Sequence, residues 1–170
     1  NMILQTERLV IRKLSLSDLG EFEKTLNDSQ LSCMGGAEGF LNWLIKQYEK
    51  MDIVNGLISF GVFDKETRKL LGTAGAGKHD DLHEPEIFYM LLPENRGKGY
   101  ATEAVKAITT WVFDNYDIPY LIGTVSTDNI KSQKVLEYCN YQFIDKRILL
   151  VHIEGKKYEF KYYRYYPVER

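Results

Sequence analysis

The hydrophobic pattern along this chain switches between a period of two and a period near 3.6. Leu9 to Leu14 alternate weakly, as an edge or second strand would. Leu16, Leu19, Phe22 and Leu26 then recur at helical spacing, and Ser15 with Asp18 forms an N-cap pair ahead of them. Residues 27–39 read as a loop broken by Gly35-Gly36. Phe40, Leu41, Leu44, Ile45 and Tyr48 predict a second helix with a polar outer face. Strands follow at Leu57–Phe63 and Leu70–Ala76, joined by the polar turn 64–68. The second is rich in small residues, a sign of close approach by a ligand or another backbone. An acidic loop, 79–84, leads into the apolar run 86–92, which Pro93 ends because it lacks an N–H. Ala101, Ala104, Val105, Ile108, Trp111 and Val112 mark a third helix. Tyr120–Val125 is a buried strand, Asn129 to about Tyr138 a short helix, and Tyr141–Val151 with Lys157–Tyr165 a hairpin through Glu154-Gly155. The order is β-α-α-β-β-β-α-β-α-β-β, an α/β (α+β) chain of about seven strands and about four helices.

Composition narrows the classes. A chain of 170 residues is one domain, 1–170, able to bury roughly two-thirds of its unfolded surface. Its net charge of -2 is spread in both signs, which argues against a nucleic-acid partner. No apolar run reaches the ~20 residues that span a bilayer, and no signal segment is visible. Cys33 and Cys139 read as two free thiols in a reducing cytoplasm. The expectation is a cytoplasmic protein with no membrane partner.

The stretch from Glu86 to Ala104 carries the chemistry: strand, glycine turn, helix. Gly97 and Gly99 can take φ > 0. The first-turn N–H groups of the helix lack internal partners, so Arg96, Gly97, Lys98, Gly99, Tyr100 and Ala101 form a candidate anion cradle. A plain β-turn-helix connection is the competing reading. Alternation places Glu86, Phe88 and Met90 on one strand face and Ile87, Tyr89 and Leu91 on the other. Glu86 can take a proton from an amine, directly or through water, or it is a surface carboxylate at a strand edge. Asn129 and Ser132 lie one helical turn apart on one face. Three other motifs read weakly. Gly72 to Lys78 resembles a phosphate-binding P-loop, but His79 stands where Ser or Thr should hold Mg²⁺. His79 and His83 among Asp80, Asp81 and Glu84 have metal-ligand chemistry, yet a solvated acidic loop explains them and no metal is expected. A dinucleotide-binding turn would need a third glycine and an earlier place in the chain.

Arg96-x-x-Gly99-x-Ala101 resembles the acetyl-CoA pyrophosphate loop of the GNAT acetyltransferases, R/Q-x-x-G-x-G/A. The runs EIFYMLLPENRGKGYATEAV and LQTERLVIRKLSLSD are similar to the RimJ/RimL-like branch, the ribosomal-protein-alanine N-acetyltransferase-like group. The element order agrees with the GNAT fold over nearly the whole chain, which implies a mixed, mostly antiparallel sheet. The resemblance implies an acetyl-CoA-dependent N-acetyltransferase that moves an acetyl group to a primary amine by direct attack on the thioester. The amine belongs to a protein N-terminus or a small molecule. Acetyl-CoA is then the cosubstrate, with its pyrophosphate on the backbone of Gly97 to Ala101 and its pantetheine arm against Met90, Leu91 and Leu92. A strand N–H would polarise the thioester carbonyl, and Glu86 stands where the family often has its general base. Asn129 and Ser132 resemble an N-x-x-S helix that contacts the CoA arm, with Ser132 as proton donor to the thiolate. Many relatives use a tyrosine seven residues after that asparagine; here it is Leu136. At ~100° per residue, Tyr138 is rotated about 240° from Ser132, so Ser132 ranks first and a solvent proton remains an option. The acceptor is expected between the N-terminal helices and the C-terminal hairpin, near Phe40, Trp43 and the hairpin tyrosines. A noncatalytic CoA-binding sensor of the same fold is the alternative. The assembly is expected to be a monomer or a homodimer.

Overall fold

The computed structural model describes residues 3–169. Its elements run β1 (Ile3–Gln5), β2 (Leu9–Arg12), α1 (Leu19–Glu23), α2 (Asp28–Leu31), α3 (Gly36–Lys50), β3 (Leu57–Asp64), β4 (Leu70–Lys78) and β5 (Pro85–Leu91). Then come α4 (Tyr100–Asn115), β6 (Leu121–Ser126), α5 (Ile130–Tyr138), β7 (Gln142–Val151) and β8 (Lys156–Tyr165). The sheet order is β1-β2-β3-β4-β5-β6-β8-β7. Neighbours are antiparallel except β5 and β6. A parallel pair needs a crossover, and α4 supplies it.

The eight strands and five helices of the described residues exceed the expected seven and four by β1 and α2. The short α2 falls inside the expected loop 27–39. Its start is a reciprocal cap: Asn27 Oδ1 accepts from Gln30 N at 2.8 Å, and Gln30 Oε1 accepts from Asn27 N at 2.9 Å. Gly35, at φ +82°, is the N-cap of α3 and not a break before a later helix. The first expected helix is a 3₁₀ turn at Leu16–Asp18 followed by the short α1, and it stops before Leu26.

Alternation along the strands builds two cores. Leu9, Ile11, Ile58, Phe60, Val62, Ala74, Ala76, Ile87 and Leu91 pack under α4 and α5. Val10, Leu14, Phe63 and Leu70 face the other way, under Phe22 of α1 and Leu41 and Leu44 of α3. Helices α1 and α3 therefore cover the β2–β4 part of the second face. Among the described residues, no helix is long and apolar enough to cross a membrane.

The glycines of β4 answer to backbone. A Cβ on Gly75 would stand 1.8 Å from the Ile58 carbonyl oxygen, and one on Gly72 would stand 2.0 Å from the Met90 oxygen. The P-loop-like segment is thus the interior of a strand between two neighbours. Gly75→Ala should cost about 1–3 kcal/mol through forced backbone displacement. Gly20→Ala, in open space on α1, should stay within about 1 kcal/mol of the parent. Thermal denaturation of both variants checks this; equal melting temperatures would contradict the steric account.

Candidate active site

Strand β5 pairs with β4 along its whole length but with β6 only at Glu86↔Ile122. Beyond that pair β5 and β6 part. The gap between them is a cavity of about 300 Å³, lined by Glu86, Phe88 and Tyr89 of β5, Thr124 and Ser126 of β6, and Asn129, Ser132 and Leu136 at α5. Leu92 N–H donates to Leu71 O at 2.9 Å, toward β4. The Met90 oxygen abuts Gly72 on that same side. Alternation then turns the backbone polar groups of Tyr89 and Leu91 toward the gap. Of the run 90–92, only Leu91 offers its backbone there, and Tyr89 joins it.

The turn after β5 leads from a 3₁₀ segment, Pro93–Asn95, through Gly97 (φ +76°) to Gly99 (φ +83°), the N-cap of α4. The backbone N–H groups of Gly97 to Ala101 have no backbone partner among the described residues. A Cβ at Gly97 would meet nothing within 4 Å, so that face of the loop is open. Arg96 acts as a clamp: its Nε donates to Leu91 O at 3.2 Å. Arg8, which the sequence reading passed over, braces the loop from the β1–β2 turn. It donates to Lys98 O at 2.8 Å, pairs with Glu103 at 2.8 Å and lies 4.4 Å from the centre of the Tyr100 ring. Its guanidinium would sit 3.2 Å from a Cβ at Gly99. Open N–H groups at a helix start, with Arg8 and Lys98 beside them, fit a diphosphate.

Glu86 is half-buried, and its carboxylate accepts from Thr124 Oγ1. Burial pushes its pKa up to about 7; hydrogen bonds from Thr124 oppose the shift and Asp80 adds to it. On its second side lies a cavity of about 340 Å³ walled by Leu57, Lys78, His79, Asp80, residues 149–151 and Phe160. Glu86 is the residue that both cavities share.

Asn129 caps α5, its Oδ1 accepting from Ser132 N at 3.2 Å. Ser132 Oγ accepts from the Tyr89 hydroxyl at 2.8 Å. Leu136 is buried and reaches the gap, while Tyr138 is 68% exposed, as its place on the helix requires. The acidic loop is pinned and not simply solvated. Asp81 accepts from Leu150 N at 2.9 Å, and Glu84 accepts from Tyr120 and Tyr162. His79 Nδ1 accepts from the N–H groups of Asp81 and Leu82, and burial lowers its pKa, so its proton sits on Nε2. No metal-ligating group of three or more such side chains occurs among the described residues. Phe40 and Trp43 pack on the second core, not on either cavity. Of the hairpin aromatics it is Phe160, not a tyrosine, that lines the cavity on the second side of Glu86.

The family profile described as acetyltransferase (GNAT) domain matches residues 8–142, and the chain belongs to that family. It is an N-acetyltransferase by class. The chain is similar to the uncharacterized N-acetyltransferase p20 of Bacillus licheniformis, at 26% identity over 82% of each chain. It is similar in fold to the ribosomal-protein-S5-alanine acetyltransferase from Vibrio fischeri (TM-score 0.78, 18% identity, 98% and 97% covered). The fold also matches RimL, the ribosomal L7/L12 alpha-N-protein acetyltransferase, in complex with coenzyme A (TM-score 0.76, 12% identity, 97% and 98% covered). At these identities the two likenesses are of fold.

The Glu86 shift has a measurable consequence for stability. Its pKa is about 7 in the folded chain against 4.5 ordinarily. Between those values the folded state holds a proton that the unfolded state has lost. The contribution of Glu86 to stability is therefore greatest below the ordinary value and falls as pH rises through about 7. Glu86→Gln should gain melting temperature relative to the parent between about pH 4.5 and pH 8. A difference that stays constant over that range would mean a carboxylate in free contact with water.

Proposed function

We propose that this chain transfers the acetyl group of acetyl-CoA to a primary amine, with Glu86 serving as the base between a donor gap and an acceptor pocket. The observation that carries the reading is that one half-buried carboxylate borders both cavities. Backbone N–H groups of Gly97 to Ala101 receive the diphosphate, with Arg96 clamping the turn and Lys98 adding charge. The backbone groups of Tyr89 and the N–H of Leu91 pair with the amide-bearing arm as an added strand would. One N–H there polarises the thioester carbonyl and stabilises the oxyanion. Glu86, poised near neutrality, takes the proton from the incoming ammonium, so that the nitrogen lone pair can attack the carbonyl carbon. The carbon–sulfur bond breaks, the new C–N nitrogen releases its remaining excess proton to water, and Ser132 passes its hydroxyl proton to sulfur and is reprotonated in turn, with Asn129 holding the helix turn that carries it. The acceptor is a protein N-terminus or a small-molecule amine. Leu57, residues 149–151 and Phe160 give its pocket an apolar wall beside Lys78, His79 and Asp80, which supports an amine carried beside an apolar group.

Acetyl-CoA at about a hundred times its Kd should stabilise the protein by about 2.7 kcal/mol, a rise of roughly 5–10 °C in Tm. NAD and ATP should do much less, and Gly99→Val should abolish the rise. Equal shifts from all three ligands would refute a dedicated CoA site. Turnover is then screened against N-terminal peptides, polyamines, amino acids and aminoglycosides. On the amine selected, Glu86→Gln should lower kcat/KM by about 10²-fold near neutral pH, with the deficit shrinking as pH rises. Parallel pH curves offset by less than about two-fold would remove Glu86 as the base.

A further inference from the structure

We propose that Tyr89 is a positioning residue for the departing thiolate, acting through Ser132. The proposal rests on the reading of the β5/β6 gap as the CoA channel. Tyr89 rises from β5 on the α5 side, and its hydroxyl donates to Ser132 Oγ at 2.8 Å. Both residues line the gap. Because Ser132 Oγ accepts that hydrogen bond, its own proton is free to point elsewhere, and the open direction is the gap. Further along α5 the lining residue is Leu136, which brings hydrocarbon only.

Elementary acid strength makes a partner necessary. Ser132 is an aliphatic alcohol, a far weaker acid than a thiol, and losing its proton alone would leave an alkoxide. A phenol is a much stronger acid than an alcohol, even though burial raises the Tyr89 pKa. As the carbon–sulfur bond breaks, sulfur takes the Ser132 proton and Ser132 takes the Tyr89 proton. The phenolate recovers a proton from water at the gap. Before that transfer, the same chain of donors stabilises negative charge on sulfur. The other titratable groups beside the chain are Glu86, three residues before Tyr89 on β5 and lining the same gap, and Cys139, whose thiol faces Thr102 O and is pushed up to about 11 by burial.

The test uses CoA and desulfo-CoA, which lacks the thiol, as probes. Calorimetric affinities of both are measured from about pH 6 to pH 10 for the parent, Tyr89→Phe and Ser132→Ala. The ratio of the two affinities cancels the titration of groups that act alike on both probes, such as the phosphates. In the parent the ratio should rise about tenfold in favour of CoA as the thiol ionises, the usual worth of a hydrogen bond to a charged acceptor. Ser132→Ala should abolish the rise, and Tyr89→Phe should cut it to about threefold or less, with desulfo-CoA affinity as the reference that absorbs any change in the channel itself. A full rise in Tyr89→Phe with none in Ser132→Ala would overturn the role of Tyr89 and leave that of Ser132 standing. No rise in the parent, with CoA bound, would overturn both roles. Failure of the parent to bind either probe would overturn the CoA channel itself.

Discussion

The parting of β5 from β6 is the constraint on which the rest depends. Two neighbouring parallel strands would ordinarily exchange hydrogen bonds along their length, yet these two are in register at one pair, Glu86↔Ile122. Past it, the backbone groups of Tyr89 and the N–H of Leu91 stand at a cleft without a strand to meet them, while the Leu91 oxygen is held by Arg96. Unpaired backbone groups are tolerated only where water or a ligand can reach them. The cleft therefore has the hydrogen-bonding character of a missing strand. Its closed end holds Glu86, and the burial that the closure imposes brings that carboxyl near neutrality. Geometry and acidity at the site have one origin.

A second set of contacts keeps the mouth of the cleft in shape. The turn between β5 and α4 contains two glycines at positive φ and would be pliant by itself. Arg8 joins it to the start of the chain by a hydrogen bond to Lys98 O and an ion pair with Glu103. Thr6 adds a hydrogen bond to the same carboxylate. Arg96 joins the turn to the strand it leaves. Each of these contacts is made by a side chain to backbone or to another element, so the N–H groups of the turn stay free.

The cavity on the second side of Glu86 is built from parts that do not belong together in the chain. Leu57 opens β3, loop 79–84 precedes β5, and residues 149–151 with Phe160 come from the final hairpin. Tyr120, Tyr162 and Arg164 converge on Glu84, and Leu150 N–H holds Asp81. An acidic run that looks solvated in the sequence is thereby fixed as one wall of a pocket beside Glu86.

The cores, the glycine turn and the helix that follows it were legible in the sequence, because periodicity and glycine placement are local properties. So were the faces of β5 and the exposure of Tyr138, since a strand repeats every two residues and a helix every 3.6. The cap at Asn27 was present as a residue pair but too short in span to register as a helix. What the tertiary structure alone decided were the pairings between distant segments. Arg8 meets Glu103, Tyr89 meets Ser132, and Glu86 lies between two cavities instead of at an exposed strand edge. The sequence by itself determined which side chains could face the site, because that depends on short-range geometry. It left open which would touch, because that depends on where β5 and β6 separate, and no residue in either strand encodes the separation locally.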